Sequence, residues 1–112
     1  MNIAQEKTSS VEVDTATVEF LTFEKENKTY YYFNSTQVGP PEPMVNAMAG
    51  LNLLKNDDIL IMHNHKKPMG LLNKVEENFD ISEEAQEDGS IQLFFTRNAA
   101  SDKADLSDNS CH

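Results

Sequence analysis

The densest run of chemistry-bearing side chains is His63-Asn64-His65-Lys66-Lys67-Pro68. Residues two apart on a strand point to the same side, so His63 and His65 share a face if the strand before them extends that far. Two imidazoles so placed could share a divalent metal, and no other cofactor is expected. Zinc usually takes three or four protein ligands. The further imidazole and thiolate would be His112 and Cys111, both at the end of the chain. The alternative is a pair of loop histidines that shape a turn or touch a ligand. Lys66 and Lys67 stand just before Pro68, which opens a predicted helix. Backbone N–H groups at a helix start can hold an anion, so this loop is a candidate site for a small anionic ligand or a partner's carboxylate.

A second box, Gly39-Pro40-Pro41-Glu42-Pro43, also precedes a helix. Proline is tolerated in a first helical turn, where N–H groups lack intrahelical partners. Glu42 complements the positive end of the helix dipole. In α/β sheets ligands gather at the loops beyond the carboxyl ends of strands. If the strands before the two boxes are parallel neighbours, Pro40, Glu42, His63, His65, Lys66 and Lys67 line one composite ligand site. No nucleophile turn of the Gly-x-Ser-x-Gly kind and no phosphate-cradling glycine loop occurs. Adjacent carboxylates such as Glu76-Glu77 diverge in direction and read as solvated faces. With no catalytic constellation, the expectation is a binding protein rather than an enzyme.

The elements that must position these residues follow from periodicity. Val18–Phe23 and Thr29–Asn34 are β-branched and aromatic runs around a polar turn, which reads as a hairpin. Met44, Ala47, Met48, Leu51 and Leu54 recur at spacings of three and four, the apolar face of a helix reaching about Lys55. Ile59-Leu60-Ile61-Met62 is short and continuous, as a central strand is. Leu71, Leu72, Val75 and Phe79 mark the buried side of a second helix. Phe79–Ala85 reads as a polar edge strand and Glu87-Asp88-Gly89-Ser90 as a hairpin turn. Ser90–Arg97 is the last strand. The expected fold class is α+β: a two-layer α/β sandwich of order β-α-β-α-β-β, with two helices on one face of a mixed four-stranded sheet and an extra N-terminal strand.

Helices on one face leave the other open, unless the N-terminal strand or tail residues partly cover it. The runs Tyr30-Tyr31-Tyr32-Phe33 and Leu93-Phe94-Phe95 then suggest an interaction surface, with Tyr31, Phe33 and Phe94 as its residues and a protein partner or a homodimer as its use. Met44, Met48, Met62 and Met69 are expected to fill the core.

The whole chain is 112 residues, with 19 acidic against 9 basic side chains and a formal charge of −10. Such a surface repels phosphates, so nucleic acid is not an expected partner. No apolar run nears the roughly 20 residues of a membrane helix. A lone cysteine excludes an internal disulfide framework, and the start lacks a basic-then-apolar leader pattern. The expected location is cytoplasmic, with no membrane partner. Composition divides the chain into a flexible segment 1–14, one domain at 15–97 and a disordered acidic tail at 98–112.

A strand, Gly-Pro-Pro-Glu-Pro-Met opening a helix, an apolar strand, a histidine loop and Pro68 opening a second helix together resemble the TusA-like (SirA-like) superfamily. Within it, they are most similar to the domain of unknown function 2249 family, over about Tyr30 to Arg97. The resemblance implies the fold above. The superfamily's sulfur carriers place a cysteine at the head of a Cys-Pro-x-Pro box, where the helix dipole favours a thiolate. Here that position is Pro40, which has no thiol, so sulfur relay through this box is chemically excluded. The implied reading is a small binding or adaptor module without the carrier cysteine. The alternative is a metal- or cofactor-linked accessory domain in redox or sulfur metabolism that uses His63 and His65.

Overall fold

The computed structural model describes residues 1–98. The tail expected at 98–112 therefore lies, except for Asn98, outside the described residues, and Cys111 and His112 lie there too.

The chain forms an α+β fold: one six-stranded mixed sheet with two helices on a single face. A short 3-10 turn, Ile3–Gln5, is followed by β1 (Ser9–Val11), β2 (Phe20–Lys25), β3 (Lys28–Asn34), α1 (Glu42–Leu51), β4 (Ile59–Asn64), α2 (Met69–Val75), β5 (Phe79–Ala85) and β6 (Ile91–Arg97). The strand order is β1-β2-β3-β4-β6-β5. Only β3 and β4 run parallel, joined by the crossover through α1. The other neighbours are antiparallel.

Pairing sorts the side chains by face. Phe20, Phe33, Leu60, Met62, Leu93 and Phe95 point to the helices and pack with Ala47, Leu51, Leu71, Leu72 and Val75. Phe23, Tyr30, Ile59 and Ile61 form a smaller cluster on the opposite face. Helix α1 lies close to the sheet because Gly50 carries no side chain. A Cβ there would stand 2.8 Å from a Leu60 methyl and 3.0 Å from the Phe20 ring.

Several expectations change. The sheet has six strands, because Ser9–Val11 adds an outermost one beside β2. Segment 1–14, expected to be flexible, holds both this strand and the 3-10 turn. Its apolar residues are few, but Met1 and Ile3 pack on the opposite-face cluster. The hairpin turn is shorter than expected. Glu26 and Asn27 both take left-handed φ, 56° and 66°, so the two strands extend to Lys25 and Lys28 around a two-residue turn. Helix α1 ends at Leu51, before the expected Lys55, and Leu54 reaches the core from the turns that follow. Met44 and Met69, expected in the core, are 37% and 54% exposed.

Candidate functional site

The two loops expected to form one site follow parallel neighbouring strands. Asn34 at the end of β3 is in register with His63 at the end of β4. The peptide bond between Pro40 and Pro41 is cis, and both prolines are exposed. Glu42 opens α1, and its carboxylate accepts a hydrogen bond from the Thr17 hydroxyl at 2.8 Å. Asn46, one turn on and fully buried, fixes the same loop. Its Oδ1 accepts from the Thr17 N–H at 2.7 Å, and its Nδ2 donates to the Thr17 hydroxyl and to the Glu42 carbonyl.

The second loop is braced by a buried pair, Ser35 and Asn64. The Ser35 hydroxyl donates to Asn64 Oδ1 at 2.8 Å, and Asn64 Nδ2 donates to the Lys66 carbonyl at 2.9 Å. Lys67 forms an ion pair with Glu83 on β5 at 2.8 Å, with both side chains 45% exposed. His65 and Lys66 project into solvent.

These helix starts carry the exposed apolar residues. Among the described residues, the large hydrophobic side chains exposed to solvent are Met44, Val45 and Met69. All three sit in first helical turns. The two starts approach each other, since the Met44 Cε lies 3.9 Å from where a Cβ on Gly70 would be. Beside them an open groove of about 390 Å³ runs along α1 between Thr15, Pro41, Val45 and Met48. Sequence reasoning placed the methionines inside and passed over Val45. The available signal is weak: Met44 and Val45 are adjacent and point about 100° apart, so both cannot lie at the centre of one packed face.

His63 does not join this surface. Its side chain lies on the helix-free face, because β4 alternates and Leu60 and Met62 take the helix side. The strand ends at Asn64, so the alternation that would align His65 with His63 stops one residue short. Both ring nitrogens of His63 are engaged. Nδ1 is 2.9 Å from the Tyr32 hydroxyl and Nε2 is 2.8 Å from the Ser90 hydroxyl. Ser90 in turn donates to Asp88 through its hydroxyl, at 2.5 Å, and through its backbone N–H, at 2.9 Å.

The direction of these bonds follows from the Asp88 carboxylate, which can only accept. Ser90 gives it its proton, and the Ser90 oxygen then accepts the Nε2 proton of His63. Nδ1 is left as the acceptor for Tyr32. Burial disfavours the imidazolium and lowers the His63 pKa, against the pull of Asp88. Asp88 itself is held low by the two Ser90 bonds. Burial raises the Tyr32 phenol. Ser, His and Asp are thus present together but wired in the wrong order for nucleophilic catalysis. The histidine lone pair faces tyrosine, and the serine proton is committed to the carboxylate. The chain of groups borders an open cleft of about 620 Å³ between residues 1–4 and the β5–β6 turn. The sequence does not join Ser90 or Tyr32 to His63, because only the pairing of β3, β4 and β6 brings them together.

The predicted interface residues divide by face. Phe33 is fully buried under the helices, and Tyr31 is half-buried against the same cluster. The reason is the strand alternation: Tyr30 and Tyr32, not Tyr31 and Phe33, face away from the helices. Phe94 does lie on the helix-free face, partly buried against the same cluster on which Met1 and Ile3 pack. No described helix is long and apolar enough to cross a membrane. Comparison with protein-family models, with curated proteins and with solved structures finds no match for this chain.

Proposed function

We propose that this chain is a non-catalytic binding or adaptor module of TusA-like fold that docks a protein partner on the paired starts of α1 and α2. One observation carries the reading: the exposed large hydrophobic side chains of the described residues, Met44, Val45 and Met69, gather at this one place. Contiguous exposed apolar surface marks interaction sites, and methionine suits surfaces that adapt to a partner. The element order β-α-β-α-β-β from β3 onward, with both helices on one face, supports the TusA-like part of the reading.

The surface favours a protein partner over a small anion. In the first turn of α1, Pro43 has no N–H, the Glu42 N–H bonds to the Gly39 carbonyl, and Glu42 adds negative charge. Lys67 is already paired with Glu83. Lys66 and His65 are exposed and stand three and four residues before Met69 in the chain. The partner this surface fits therefore presents apolar side chains to the methionines and a carboxylate to Lys66. Proline at position 40 leaves the helix start without a sulfur-carrying group, and the partner is bound rather than modified.

The test is a comparative pull-down with wild type, Val45→Lys and Phe94→Lys chains. The reading predicts a discrete partner whose recovery falls at least about tenfold with Val45→Lys, since a contact worth about 1.4 kcal/mol is a factor of ten, and is unchanged with Phe94→Lys. Recovery that is indifferent to Val45→Lys contradicts it.

A further inference from the structure

Residues 1–6 cross the helix-free face as a strap with a 3-10 turn at Ile3–Gln5, and we propose that they occupy a groove built to take a segment of a partner protein with the strap's own pattern. That pattern is two large, non-aromatic apolar side chains two residues apart, with a carboxylate three residues after the second. The groove is on the opposite face of the sheet from the helix-start surface and stands independently of it.

Three observations carry this. First, the strap sits side chain by side chain. Met1, Ile3 and Glu6 are half-buried, whereas Asn2, Ala4 and Gln5 are exposed. Met1 and Ile3 pack on Phe23, Tyr30, Ile59 and Ile61, with Tyr32 and Phe94 at the margin. Second, the far end of the groove specifies charge. The Lys25 ammonium, on the last residue of β2, holds the Glu6 carboxylate at 3.0 Å, and this bond raises the Lys25 pKa. On a chain of charge −10, a cation at one end of an apolar floor selects an acidic side chain there.

Third, the groove is wider than its occupant. Met1 has an open cleft on each side, about 620 Å³ beside Tyr32 and His63 and about 320 Å³ beside Tyr30 and Phe94. Among the described residues, ladder pairing of this segment begins only at Ser9, so residues 2–6 are held by side chains rather than by strand hydrogen bonds, and Met1 is tied to the Glu84 and Gln92 side chains through its ammonium and, for Gln92, its carbonyl. Segments held in this way open at low cost. A partner segment with the same spacing and larger anchors fills the clefts and displaces the strap, so the strap sets the threshold for binding.

The test uses full-length chains and a peptide of residues 1–7 with a free N-terminal ammonium, the group that bonds Glu84 and Gln92 in the strap, as probe, followed by backbone amide shifts. The expected result is saturable shifts at Tyr30, Tyr32, Ile61 and Phe94. Apparent affinity should be at least about tenfold higher for an Ile3→Ser chain than for wild type, because a covered site binds in proportion to the fraction open. Lys25→Glu should abolish the shifts, and a peptide carrying Glu6→Lys should restore them. If Ile3→Ser fails to fold, Glu6→Lys in the chain opens the strap at its exposed ion pair instead. Equal affinity for wild type and opened chains, shifts outside this face, or a reversed-charge peptide binding Lys25 as well as the native one overturns the proposal. So does a strap that keeps its wild-type amide shifts in both variants, because it is then simply part of the fold.

Discussion

The His63 imidazole has a neutral job: it accepts from Tyr32 and donates to Ser90. A proton on Nδ1 would turn that acceptor into a donor facing a phenol. Burial already lowers its pKa below the ordinary value of 6.5. The sign for stability follows. Between that ordinary value and the lower folded one, the unfolded chain binds a proton that the folded chain refuses, so stability falls as pH drops below about 6.5. Urea midpoints at pH 7.5 and 5.5 should therefore fall for wild type, and fall less for His63→Gln. An equal fall would show that His63 is not the group responsible. Tyr32→Phe removes the donor to Nδ1. It should cost about 0.5–1.5 kcal/mol in urea unfolding and move the His63 titration upward by NMR, since the neutral ring has lost a bond. An unmoved titration would contradict the bond direction deduced here. At this scale the sequence marked His63 and Lys67 but not their roles. Each acquires its partner, Ser90 in the β5–β6 turn or Glu83 on β5, from more than fifteen positions away.

At the scale of elements, the two helical glycines make opposite predictions. Gly50 faces Leu60 and Phe20 at distances no ordinary side chain tolerates. Gly50→Val should destabilise by about 1–3 kcal/mol through overpacking. Gly70 has only the flexible Met44 terminus within van der Waals range, so Gly70→Ala should stabilise by up to about 1 kcal/mol through helix propensity. Thermal melts of both decide whether α1 rather than α2 is the helix pressed onto the sheet. Asn46→Leu should cost about 1–3 kcal/mol, because it leaves the Thr17 N–H without its acceptor. Unchanged stability would mean that the 12–19 loop is not held by α1. The type and order of the elements were legible in the sequence, because apolar periods of two and three to four are local signals. Met44-Ala47-Met48-Leu51 gave the helix its existence but not its rotation. The inward stripe is Ala47, Gly50 and Leu51, and a glycine carries no hydrophobic signal to reveal that. Likewise Ser9–Val11 has almost no apolar pattern, and it is a strand only because β2 offers it an edge.

At the scale of the molecule, the sheet has two unequal faces. One is closed by two helices whose starts expose Met44, Val45 and Met69. The other is closed by a six-residue strap that leaves clefts on both sides. The aromatic face expected to be open is partly covered, and the cover is the chain's own first residues. The identity of that cover could not be read from Met1–Glu6, because two apolar residues among six carry no period. The outer edge of β5 carries Asp80, Glu83 and Glu84, charges of the kind that keep an edge strand from pairing with another sheet. These charges disfavour strand addition at that edge, which is consistent with the proposed docking of a partner through side chains at the helix starts.

The most direct test of that central claim is site-specific photo-crosslinking in cells, with the reactive residue placed at Val45 in one chain and at Ser82, on β5, in another. The account predicts a discrete adduct from Val45, lost when Met44 and Met69 are both changed to Lys, and none from Ser82. An adduct from Ser82 with none from Val45 would contradict it.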